Sequence, residues 1–137
     1  MNCPTCNTHV LEHPASRCLD SWIAEEVMGW QRVPASVSDR DQWKDEKGRC
    51  CYTWNPCAFE CLHFSASIAA AWLMVERMRS LNDHVSVDVQ MDRTGGMCWV
   101  NVTVGVARHD YRGPYWQAEA DTVPLAICRA ALISRAG

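Results

Sequence analysis

The sequence predicts an α+β protein whose helices cover an antiparallel sheet of about four strands. Two observations predict it: three apolar stripes at helical spacing, and between the second and third of them a run of alternating valines. No internal repeat or low-complexity tract divides the 137 residues, 48% of them hydrophobic, so one core is expected.

Ser16 can cap the first helix, where Leu19, Trp22, Ile23, Val27 and Trp30 recur at three- and four-residue steps; Asp20, Glu25 and Glu26 are expected to face away, and Gly29 to end it. Residues 31–47 are polar and read as an irregular excursion with one short strand near Arg32 and Val33, closed by Gly48. Arg49 to Trp54 alternates as a short strand, with Cys50 inward, until Pro56 stops it. Ser65 begins a second helix whose apolar face is Ile68, Ala71, Trp72, Val75 and Met78, with Arg79 at its end; Trp72, like Trp22 and Trp30, is expected in the core. After Asn82-Asp83, the residues Val85, Val87, Val89 and Met91 alternate with polar ones. Beyond Gly95-Gly96, Cys98, Val100, Val102, Val104 and Val106 do the same, giving a hairpin with one buried valine face. A polar and aromatic loop, 108–116, precedes a last helix capped by Asp121 or Thr122, entered by Pro124 and made apolar by Leu125, Ile127, Cys128, Ala131 and Leu132.

No apolar run approaches the roughly 18–20 residues that cross a bilayer, and the first eighteen residues lack a basic start and apolar stretch, so neither a membrane span nor export is expected. A net charge of −3 and a pI near 5.9 argue against DNA or RNA as partner, because counterion release needs clustered Lys and Arg.

Nine cysteines, an odd number in a chain read as cytosolic, favour thiols or metal ligands over a disulfide framework. Cys3-Pro-Thr-Cys6 has the spacing that lets two thiolates converge on one metal, and His13 and Cys18 supply two further ligands. Residues 1–18 are therefore read as a zinc knuckle with a structural metal, and residues 19–137 as the layered domain. A rival ligand set replaces His13 and Cys18 with Cys57 and Cys61, or draws on His63; His9 is expected in solvent. Cys98 and Cys128 fall on apolar faces and read as small hydrophobes.

Phosphate-cradling glycine loops, a nucleophile elbow and paired metalloprotease histidines are absent from the sequence, and the acids Asp88, Asp92, Glu119 and Asp121 and the bases His84 and His109 read as solvated. Binding has better residues. Arg108, Tyr111, Arg112, Tyr115 and Trp116, with His109, combine stacking surfaces with guanidinium groups suited to phosphate, which is what a nucleotide-like ligand needs. Trp99, Asn101 and Thr103 on the less apolar side of the hairpin either line the same surface or are covered.

Three segments carry a family resemblance: Arg17-Cys-Leu-Asp-Ser-Trp-Ile-Ala-Glu-Glu-Val-Met-Gly-Trp30, Phe64-Ser-Ala-Ser-Ile-Ala-Ala-Ala-Trp-Leu-Met-Val-Glu76, and Ala118-Glu-Ala-Asp-Thr-Val-Pro-Leu-Ala-Ile-Cys-Arg-Ala-Ala-Leu132. In order and spacing they resemble the phage ABA sandwich domain. The resemblance implies a helix-sheet-helix sandwich encoded by a bacteriophage or prophage and acting in the cytoplasm of the infected host. The family's Tyr-Ser-Thr-Asp-Ile pattern departs here, Ala66 and Ser67 replacing Thr and Asp. The expectation is a non-catalytic accessory protein that works by binding, as a counter-defence sponge for a nucleotide-derived immune signal. The alternatives are a module that inhibits or redirects a host protein, and an enzyme that degrades such a signal. A homo-oligomer is expected.

Overall fold

A computed structural model describes residues 1–32, 42–45, 47–48, 50–52, 63–81, 84–92, 97–105 and 115–136. They form α1 (Arg17–Glu26), β1 (Gln31–Arg32), β2 (Gln42–Lys44), β3 (Cys50–Tyr52), α2 (Ile68–Leu81), β4 (His84–Met91), β5 (Cys98–Gly105), β6 (Tyr115–Ala120) and α3 (Val123–Ala136). The class is α+β, and every strand pairing is antiparallel. The strands divide into two three-stranded sheets, β1-β2-β3 and β4-β5-β6, where one sheet of about four was expected. Among the described residues no helix is long and apolar enough to cross a membrane.

The valine hairpin sets the main layer. Its register pairs Val87 with Val102 and Val89 with Val100, and β6 continues it with Ala118 opposite Val100 and Ala120 opposite Cys98. Alternation therefore gathers Cys98, Val100, Val102, Ala118 and Ala120 on one buried face. α3 lies over β5 and β6, α2 over β4 and beside α3, and α1 packs on α3. Ala126, Ala130 and Ala131 are fully buried and short, so α3 can approach that face closely, with Ile127, Cys128 and Leu132 filling the space around them. The opposite face carries Asp88, Gln90, Gln117 and Glu119 in solvent, with Trp99 half-buried and its Nε1–H donating to Glu119 Oε2 at 2.8 Å.

Several expectations are corrected. β6 takes up Tyr115 and Trp116, which the sequence placed in a loop; its inward positions include two alanines, too small to announce a strand. Trp43, in the supposedly irregular excursion, is fully buried on β2, with the Arg32 guanidinium 4.9 Å from its ring centre. Trp72 is 49% exposed instead of core: α2 is apolar nearly all round, and the face it buries is Ala70, Ala71, Met74, Val75 and Met78. Asp20 is buried, not outward. The second helix is capped by Ser67, whose Oγ accepts from the Ala70 N–H at 3.3 Å, and not by Ser65. Ser67 stands where the family pattern has Asp, so the departure keeps a capping oxygen. α1 closes near Val27, and Gly29 (φ 70°) supplies the left-handed residue behind it.

Candidate metal centre

Residues 1–10 double back on themselves. The Cys3 N–H donates to Thr8 O and the Asn7 N–H to Cys3 O, both at 2.9 Å, while Asn2 bridges His9 and the Val10 N–H donates to Met1 O at 3.0 Å. Asn7 takes the left-handed conformation (φ 62°), which asparagine tolerates better than most side chains. This turn brings the thiols of Cys3 and Cys6 together. Ser16 then caps α1 by accepting from the Leu19 N–H at 3.2 Å, which sets Cys18 in the first turn facing the same point.

The result is the quartet read from sequence. The ligand atoms of Cys3, Cys6, His13 and Cys18 all lie within 4.8 Å of one another. Cys3 Sγ is 3.5 Å from Cys18 Sγ, and Cys6 Sγ is 3.2 Å from His13 Nε2. A tetrahedron with Zn–S of about 2.3 Å and Zn–N of about 2.0 Å has edges of roughly 3.5–3.8 Å, so a contraction of about 1 Å at most would let the quartet hold zinc. His13 is buried, and its Nδ1–H donates to Pro14 O at 2.9 Å; that fixes the proton on Nδ1 and leaves the Nε2 lone pair for a metal.

Without a cation the thiols cannot all ionise. The hydroxyl and backbone N–H of Thr8 stabilise the Cys6 thiolate and bring it down to about 6, whereas burial, and then the neighbouring Cys3 and Cys6, push Cys18 up to about 12. A divalent ion would let all three sulfurs bind as thiolates.

The knuckle is fastened to the helices. Arg129 of α3 donates from Nη2 (2.8 Å) and Nε (3.2 Å) to His13 O, and from Nη1 to Glu119 O of β6 at 2.8 Å. The Ser16 N–H donates to Ser65 Oγ at 3.2 Å, and the Ser65 N–H donates to Asp20 Oδ1 at 2.8 Å. Burial pushes Asp20 up to about 6, against the opposing pull of the Ser65 hydrogen bonds and His13. Cys3, Val10 and His13 are buried, and the His13 ring lies 6.2 Å from that of Trp22.

The other sequence expectations fare unevenly. His9 is exposed, as expected. His63 is not part of the quartet, and Cys57 and Cys61 lie outside the described residues. Arg108, His109, Tyr111 and Arg112 also lie outside them, while Tyr115 and Trp116 open β6 and Trp116 shares the face of its partner Val102. Cys98 and Cys128 are buried among apolar neighbours, and burial pushes the Cys128 thiol up.

Sequence reasoning missed an open cleft of about 510 Å³ beside the knuckle. Glu12, Pro14 and Ala15 form one wall, Ser65 and Ala66 a second, and Asp121, Thr122, Leu125 and Arg129 a third. Pro14-Ala15, Ser65-Ala66 and Asp121-Thr122 each stand just before a helix, so the starts of all three helices border one space. Ser16 and the Asp121-Thr122 start were readable from sequence; the cap of α2 and the convergence of the three starts were not.

Residues 21–132 match the family described as the Phage ABA sandwich domain. No curated protein and no solved structure matches.

Proposed function

The chain belongs to the phage ABA sandwich domain family, and on that premise we propose that it is a small bacteriophage accessory protein that binds a ligand and releases it unaltered. The observation that carries this reading is the cleft of about 510 Å³ walled by the Cys/His knuckle; small-molecule sites commonly enclose about 300–1,000 Å³. The metal's part is structural. Three thiolates and an imidazole would fill a tetrahedral zinc and leave no position for water, which favours support of a wall over catalysis.

The ligand we favour is a nucleotide-derived immune signal, sequestered in the cytoplasm of the infected cell. Helix starts attract phosphate, and Arg129 adds a cation, while the carboxylates of Glu12 and Asp121 suit the N–H and O–H donors of a base and ribose. A bare anion would be repelled by those same acids, so the mixed lining fits a nucleotide better than inorganic phosphate.

The test is calorimetric titration with a panel of cyclic nucleotides and ADP-ribose derivatives, followed by mass spectrometry of the recovered ligand. The expected result is heat with one member, recovery of that member unchanged, and loss of binding in Ala66→Trp, which fills the cleft from an exposed position. No heat across the panel, or a stoichiometric host protein captured with no small molecule, would overturn the sponge; ligand turnover would overturn non-catalytic binding.

A further inference from the structure

β4 is an edge. In the order β4-β5-β6 it pairs with β5 on one side, and among the described residues no strand lies on the other. Every second residue of an edge strand turns its N–H and C=O outward, and natural edges blunt that template with lysine, proline or a bulge. The eight residues of β4, His-Val-Ser-Val-Asp-Val-Gln-Met, contain neither lysine nor proline, and their pairing to β5 runs without a bulge from His84–Gly105 to Met91–Cys98.

The edge is also apolar on its helix-covered face. Val89 is 40% and Met91 69% exposed there, although they share that face with the buried Val100 and Val102. α2, the helix that packs on β4, leaves Ile68, Trp72 and Leu73 exposed as well. We propose that a second copy of this chain covers this surface, two β4 strands pairing antiparallel across a two-fold axis to make one continuous six-stranded sheet.

Among the two-fold self-pairing registers of β4, the one centred on Val87 is the longest that sets no like charges opposite each other. With the two-fold at Val87, residues 84–90 all pair along the backbone: Val87 meets Val87 and Val85 meets Val89 on the helix-covered face, while Asp88 meets Ser86 on the other. No like charges oppose each other, and both copies keep their apolar face on the same side.

The position of α2 agrees independently. Only two residues separate α2 from β4, so the helix runs back over the strand. Val87 lies about 10–13 Å from the start of β4, and the same distance back along a helix, at about 1.5 Å per residue, falls seven to nine residues before Leu81. That stretch is Trp72–Met74, which includes the exposed Trp72 and Leu73. The two α2 helices would therefore meet antiparallel at their most exposed apolar residues, over the seam of the joined sheet. A strand edge about 24 Å long and a helix flank about 21 Å long, each roughly 10 Å deep, bury on the order of 1,000 Å² over both copies, the lower limit for a specific interface. None of the cleft's lining residues lies on β4 or within α2, so this pairing does not depend on the ligand reading.

Light scattering with size exclusion tests it on the full chain. The wild type is expected at twice 15.5 kDa, with β4 amides protected from hydrogen exchange as well as those of β5. Trp72→Glu and Leu73→Arg, each altering an exposed side chain, are expected to give folded monomers by circular dichroism, with every second β4 amide exchanging quickly. A monomeric wild type at about 100 μM, where a micromolar dimer is saturated, overturns the proposal. So does an oligomer that survives both substitutions with fast-exchanging β4 amides.

Discussion

The knuckle and the layered domain solve the same problem in opposite ways. Residues 1–15 bury little besides Cys3, Val10 and His13; what joins them to one another and to the helices is a close Cys/His quartet, a carbonyl-anchored imidazole and two hydrogen bonds from Arg129 to His13 O. The layered domain rests on area: α3 alone buries Leu125, Ala126, Ile127, Cys128, Ala130, Ala131 and Leu132. A segment too polar to form a core needs ligands at fixed distances, whereas packed helices tolerate local loss because many contacts share the load.

The sharpest way to break that contrast is to remove one ligand. Cys18→Ser, or strong chelation, is expected to abolish stoichiometric zinc and release residues 1–15 to fast hydrogen exchange, since structural zinc in small peptides binds with about 10–16 kcal/mol. The helices should remain folded by circular dichroism; simultaneous collapse of α3 would mean that the two regions are not separable. Leu132→Ala, by contrast, is expected to cost about 2–5 kcal/mol in denaturant unfolding and to leave zinc content unchanged.

Arg129→Met sits between the regions. It removes the hydrogen bonds to His13 O and Glu119 O and should cost about 2–3 kcal/mol, with the knuckle's amides losing protection before those of β5. Equal loss in both regions would contradict its role as a tether. Ser16→Ala is the mildest, expected to cost about 1 kcal/mol through loss of the α1 cap. Its effect should reach the metal only as weaker affinity, because Cys18 keeps its thiol.

What could be read from sequence follows the same division. Cys3-x-x-Cys6 followed by His13 and Cys18 was legible because metal chemistry constrains residue type and spacing together. The valine hairpin was legible because its period is strict, Val85 to Met91 against Cys98 to Val104. β6 was missed because alanines carry little periodic signal, and Trp72 was misplaced because α2 offers apolar residues on almost every side. Asp20 was assigned to solvent by its charge, yet its Oδ1 accepts the Ser65 N–H from 45 residues away, a partner no local pattern names. The cleft depends on three helix starts meeting in space, which is a property of packing alone.

Metal analysis of protein purified without added zinc tests the central claim most directly. Four ligand atoms within 4.8 Å predict about one zinc per chain, retained through gel filtration and lost in Cys18→Ser. Less than about half an equivalent in the wild type, with residues 1–15 nonetheless protected from exchange, would mean that packing and Arg129 hold the knuckle without a metal.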